Sequence, residues 1–195
     1  MIVATILAYA TMQLTFRRIL MPHEQTLETW ENEDAATRVR LAGPGPLRRD
    51  EISGLSGLEI FKGIFDGRFP SPPIGKTLDF IPIRITHGIA IFQGRPQAAH
   101  YNPLGTVHGG WFCTLLDSAM GCAVHSTLQA NKGYTTLELK VNMVRALTQS
   151  VPMVRAEGKV IHVGRQVATA EGRILDAEGK VYGHATTTCL IFDQA

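Results

Sequence analysis

At 195 residues, with 45% hydrophobic and 18% charged positions, the chain suffices for one well-packed core and is short for two. A formal net charge of +2, without a basic stripe or an acidic tail, excludes recruitment of nucleic acid by charge. Cys113, Cys122 and Cys189 are odd in number and lie in apolar runs, which excludes a disulfide framework and a thiolate metal site and points to reduced thiols in the cytoplasm.

The first stretch, MIVATILAYATMQLTFRRILM, is apolar but interrupted by Thr11 and Gln13, short of the ~20 residues a spanning helix needs. Arg17 and Arg18 follow the apolar run instead of preceding it, against a secretory signal. It reads as a loosely held or non-native leader, with Met12 and Met21 as alternative starts; a surface-lying amphipathic anchor is the alternative. Glu24 to Arg40 reads as a solvated helix and GPGPLRRD from Gly43 as a linker. Residues 1–50 are thus expected to be leader and linker, poorly ordered in part, ahead of one domain over 51–195.

Ser56-Gly-Leu-Glu59 fits a capping box, opening a short helix with Leu58, Phe61, Ile64 and Phe65 on one face and closed by Gly67 and the prolines from Pro70. Ile81 to Gln93 alternates around a His87-Gly88 turn and predicts a hairpin. Four further runs have a period near two: Tyr134 to Leu147, Met153 to Val163, Gln166 to Asp176 and Lys180 to Phe192. The intervals around Gly164 and Gly179 are short enough for hairpin turns, so the expectation is a four-strand antiparallel meander.

Between the first hairpin and this meander lies the stretch that organises the chain, NPLGTVHGGWFCTLLDSAMGCAVHSTL from Asn102. From Trp111 to Val124 nearly every side chain is apolar or small, which predicts a buried central helix. The economical architecture is α+β, a curved antiparallel sheet wrapped around that helix. Asp117 interrupts the apolar run, where a carboxylate needs a partner or suffers desolvation. Gly109 and Gly110 open the helix without Cβ atoms, so their N–H groups can approach a ligand oxygen at the positive end of the macrodipole. Eight residues of helix separate Gly109 from Asp117 by roughly 12 Å, too far to act on one reacting carbon. Two antiparallel helices in a symmetric dimer bring one chain's Gly109 to the other's Asp117.

In this order, Asn102-Pro-Leu-Gly-Thr-Val-His108-Gly109-Gly110, then Leu116-Asp117-Ser118-Ala119, then Thr135-Thr136-Leu137-Glu138 resemble the PaaI-like acyl-CoA thioesterases of the hotdog fold, relatives of the phenylacetyl-CoA and 4-hydroxybenzoyl-CoA thioesterases. The likeness covers about Gly54 to Phe192. It implies a homodimer or homotetramer that hydrolyses an acyl-CoA with an aromatic or a short to medium acyl chain, with no cofactor, metal, nucleic acid or membrane span. By this resemblance Asp117 is the catalytic carboxylate, as general base or nucleophile. Gly109 supplies the N–H that polarises the carbonyl. Asn102, His108 and Gly110 lie near that carbonyl and the glycine turn, Thr136 orients the carboxylate or its water, and Arg145, Gly164 and Arg165 are candidates for the coenzyme A phosphates.

Plainer roles stand beside these. His108 could serve to bond the turn, Asp117 could be a buried carboxylate held by Thr136, and Arg145 and Arg165 could be surface charges. Cys113 near His108 invites a nucleophilic dyad for which no activating environment is visible. Two other functions compete with hydrolysis: an acyl-CoA-binding sensor without catalysis, and a hotdog hydratase or dehydratase. The sensor needs a DNA-binding segment ahead of the domain, and the acidic Glu24 to Arg40 stretch supplies poor support.

Overall fold

The computed structural model describes residues 21–194; the apolar leader lies, but for Met21, outside them. Helix α1 (Pro22–Arg40) is followed by β1 (Ala42–Pro44), the single turn α2 (Arg49–Ile52), α3 (Gly57–Phe65), β2 (Pro70–Ser71), the short α4 (Pro73–Thr77), β3 (Phe80–Thr86) and β4 (Ile89–Gly94). The central helix α5 (Gly109–His125) comes next, then β5 (Lys132–Met143), β6 (Val154–Val163), β7 (Val167–Asp176) and β8 (Val181–Asp193). Strands β3 to β8 form one antiparallel sheet in the order β3-β4-β6-β7-β8-β5. This is the expected α+β hotdog arrangement, a long helix held in a large antiparallel sheet.

Leu115, Leu116, Ala119, Met120, Ala123 and Val124 of α5 are fully buried against Ala156, Ala168, Ala170, Ile174 and Cys189 of the sheet. Burial of each larger side chain contributes on the order of 1.5–3 kcal/mol, which makes this seam the main source of stability. Small residues on the sheet let the helix sit close. A Cβ built at Gly158 falls 2.4 Å from the Ala119 carbonyl, and one at Gly172 falls 2.9 Å from Met120 Cγ, so side chains there would push α5 outward. The other side of α5 is not wrapped. Cys113, Thr114, Asp117 and Ser118 are only half-buried and Gly110 is exposed, leaving a stripe of small residues along the helix.

The period-two runs form strands, but the first ends at Met143, short of the expected Leu147, and the connectivity needs a correction. Only β6, β7 and β8 form a meander; β5 pairs with β8 at the sheet edge instead of with β6. The free edge of β6 is already taken by β4, from Ile89↔Lys159 to Gly94↔Val154. The segment 144–153 therefore crosses the end of the sheet, fastened by fully buried Leu147, whose carbonyl accepts from Val107 N–H at 2.9 Å. The capping box forms as predicted: Glu59 N–H donates to Ser56 Oγ at 3.4 Å and Ser56 N–H to Glu59 Oε2 at 2.7 Å, with Ile60, Phe61 and Ile64 buried behind it.

Glu24 to Arg40 is helical and largely exposed, as expected, but one side of α1 docks on the domain through Asp34 and Thr37, and part of the expected linker is paired. Asp34 of α1 is 1% exposed and accepts from Arg38 Nε and Arg95 Nη2, both at 2.8 Å, and from Gln93 Nε2 at 3.2 Å. Burial opposes its charge, yet these guanidinium hydrogen bonds hold its carboxyl below the ordinary carboxylate range. Arg155 pairs with Glu33 and lies over the Trp30 ring at 4.4 Å. The Gly-Pro segment pairs β1 in parallel with β2. Hydrophobic periodicity missed this docking because polar contacts carry it. Among the described residues no helix is long and apolar enough to cross a membrane.

Candidate active site

The turn before α5 is built by side chains that bond their own backbone. Asn102 Oδ1 accepts from Leu104 N–H at 2.8 Å and Thr106 N–H at 3.3 Å, while its Nδ2 donates to Thr106 Oγ1 at 3.0 Å. Asn102 is thus an Asx turn that shapes the loop. His108 caps the helix, with Nδ1 accepting from Gly110 N–H at 2.9 Å. The two glycine amides consequently differ. Gly110 is occupied by the cap, whereas Gly109 N–H has no partner among the described residues. The plain role weighed for His108 is present, and it leaves a single open donor at the positive end of α5.

Gly109 borders a crevice of about 310 Å³ together with Asn102, Phe112, Met143, Arg145 and Leu147. A Cβ built on Gly109 would lie 2.7 Å from Met143 Cε and 2.9 Å from its Sδ. Met143, half exposed at the end of β5, was not singled out from the sequence; only the strand register brings it over the glycine. Arg145 N–H donates to the Tyr182 carbonyl at 3.3 Å, and the guanidinium lies 5.9 Å from the Tyr182 ring.

Two turns along α5, Asp117 Oδ1 accepts a 2.9 Å hydrogen bond from Thr136 Oγ1 on β5. The neighbouring groups are mostly apolar or neutral. Burial, and secondarily the Asp117 charge, pushes the Cys122 thiol up to about 12, so it stays protonated. Burial likewise raises the Tyr134 hydroxyl, with Cys122 and Asp117 adding to the effect. Cys189 pairs with Thr136 across β5 and β8, and burial raises its thiol too. The sequence offered a signal for Cys122, five residues after Asp117 on the helix; Tyr134 and Cys189 became visible only through sheet register.

The candidate residues separate into two groups. Asn102, His108, Gly109, Gly110 and Arg145 gather at the sheet end where β7 finishes and β8 begins. Thr136, paired to Cys189 and through it to Ala168, belongs with Gly164 and Arg165 at the other end. Strand β7 alone, ten residues long, spans about 30 Å. Arg145 and Arg165 of one chain therefore do not face a common phosphate. Among the described residues no three His, Cys, Asp or Glu side chains gather as a metal would require.

The sequence profile of the Thioesterase superfamily matches residues 104–182, from the glycine turn through the start of β8. A phenylacetic acid degradation-related putative thioesterase of Ralstonia eutropha is 26% identical over 67% of this chain and 98% of its own, with a TM-score of 0.61. A mutant of the phenylacetic acid degradation protein PaaI of Thermus thermophilus is 25% identical over 60% of this chain and 97% of its own, with a TM-score of 0.55. A hypothetical thioesterase of Streptococcus pneumoniae, solved with coenzyme A, is 23% identical over 59% of this chain and 87% of its own, with a TM-score of 0.54. No curated protein matches significantly. Fold and family match define a thioester hydrolase of the hotdog type. Within that class the chain is similar to the PaaI-like thioesterases.

Proposed function

We propose that the chain hydrolyses an acyl-CoA with an aromatic or a short to medium acyl group, at sites each shared by two copies. The observation that carries this is the hydrogen bond from Thr136 to Asp117: it aims a carboxylate on the small-residue face of α5 while an open amide waits two turns away. A two-fold axis near Cys113, midway between residues 109 and 117, sets one chain's Gly109 opposite its mate's Asp117. Helices in contact lie about 8–10 Å apart, and Gly110, Cys113, Thr114 and Ser118 are small enough to allow it. The same operation brings the Arg145 end of one chain to the Arg165 end of the other. Arginines from both then become available to the phosphates of a coenzyme A such as that bound by the pneumococcal relative. The dimer, its possible pairing into a tetramer, and a cytoplasmic location suited to three free thiols are part of this proposal.

In the reaction, Gly109 N–H donates to the thioester carbonyl oxygen and holds the oxyanion that forms there. Asp117 takes a proton from water as the water oxygen bonds to the carbonyl carbon, or attacks that carbon itself and is released by water. Either route breaks the C–S bond and yields the acid and the coenzyme A thiol. Thr136 fixes which carboxylate oxygen is free to act. Thiol release from phenylacetyl-, benzoyl-, hexanoyl- and palmitoyl-CoA tests the reading and selects the acyl class. Asp117→Asn is expected to lower turnover on the order of 10²–10⁴-fold with an unchanged circular dichroism spectrum. Undiminished hydrolysis by that variant removes Asp117 from the mechanism.

A further inference from the structure

Away from these residues, the end of α1, β1, the β2–α4 segment and edge strand β3 border a half-open pocket of about 350 Å³. That lies within the range of small-ligand pockets, about 300–1,000 Å³. Leu41, Ala42, Pro72 and Ile81 give it apolar walls, and Phe80 and Phe92, with ring centroids 6.1 Å apart, line it from the core. None of the candidate catalytic or coenzyme A residues lines it. Its polar groups are unevenly charged. Lys76 makes no ion pair among the described residues, and Arg38 gives one Nε and one Nη2 hydrogen to Asp34 and Asp79, leaving other guanidinium donors unspent. The carboxylate present, Asp79, is already taken by Arg38 at 2.8 Å and by Gln97 at 2.6 Å, in a left-handed backbone conformation with φ of 48°. Arg38, on one wall of the pocket, is held in place by its 2.8 Å bond to buried Asp34.

We propose that this pocket is a second ligand site, taking a monocarboxylic acid with an apolar body of medium length. Its carboxylate meets Lys76 and the spare Arg38 donors, and its body lies against Phe80, Phe92 and Ile81. The inference does not rest on the hydrolytic chemistry. Calorimetric titration of the full chain with sodium octanoate tests it, with octanamide as the uncharged probe. Octanoate is expected to bind saturably, and both octanamide binding to the wild type and octanoate binding to Lys76→Glu to be weaker by about tenfold or more, as loss of one charge-assisted contact implies. Ala42→Trp is expected to abolish binding by filling the pocket, while both variants retain whatever thioester hydrolysis the wild type shows. Absence of saturable binding to the wild type overturns the proposal, as does octanoate affinity unchanged in Lys76→Glu and matched by octanamide. Should Ala42→Trp fail to fold, the Lys76 variant and the amide decide alone.

Discussion

Replacing Gly109 by proline isolates the one chemical group on which the proposed oxyanion site depends. Gly109 is the first residue of α5, where the N–H has no intrahelical acceptor and proline is well tolerated. The preceding His108, at φ −62° and ψ 139°, already has the extended conformation a following proline demands. The new Cβ meets Met143 Cε at 2.7 Å, but this is the flexible end of a half-exposed side chain, so its displacement is expected to cost about 1 kcal/mol or less. Gly109→Ala creates the same contact and keeps the N–H, which makes it the control. Loss of an oxyanion donor costs about 3–4 kcal/mol in the transition state, so Gly109→Pro should lose roughly 10²–10³ in kcat against the alanine variant. Steady-state thiol release at saturating substrate reads this directly. A purified mixed dimer of Gly109→Pro and Asp117→Asn chains carries one intact site, composed of the proline-free turn of one chain and the aspartate of the other, and should recover about half of wild-type activity. Turnover of the proline variant within tenfold of the alanine control, or a mixed dimer no more active than its parents, would refute the shared oxyanion site.

Three further outcomes are expected. Thr136→Ala should lower kcat about tenfold through loss of the 2.9 Å hydrogen bond to Asp117, and Thr136→Ser should restore it; equal activity of both variants would leave Thr136 without a positioning role. If α5 meets its mate near Cys113, mild oxidation or a short bismaleimide should link two chains, and Cys113→Ser should abolish the link, as read on a non-reducing gel. His125 lies between Phe61 and Tyr134, and burial pushes its imidazole down to about 4, so the unfolded chain binds the extra proton below about pH 6.5 while the folded one does not. Stability should therefore fall by up to about 3 kcal/mol as pH drops from 6.5 to 4. Urea unfolding at pH 7 and 4.5 should show that slope, and a folded His125→Phe variant that keeps it would contradict the assignment.

How much of the molecule the chain announces depends on the range of the interaction. The α5 run from Trp111 to Val124, the Ser56–Glu59 capping box and the period-two strands were legible because each is written in neighbouring residues: apolar spacing, a cap and its return contact, turns at Gly88 and Gly164. Asp117 stood out for the same local reason, a carboxylate in an apolar run. Tertiary structure alone decided that β5 pairs with β8, because a strand's partner is set by which edge remains free and not by its own pattern. That pairing delivers Met143 to Gly109 and surrounds Asp117 with Thr136 and Cys189. It also decided that α1 docks, since Asp34, Arg38, Arg95 and Gln93 are separated by up to 61 residues and leave no periodic trace when ion pairs, not apolar burial, join them. Short-range preferences act through adjacent side chains and can be read in order; the register of a sheet and the closure of a polar network exist only once the chain has come back upon itself.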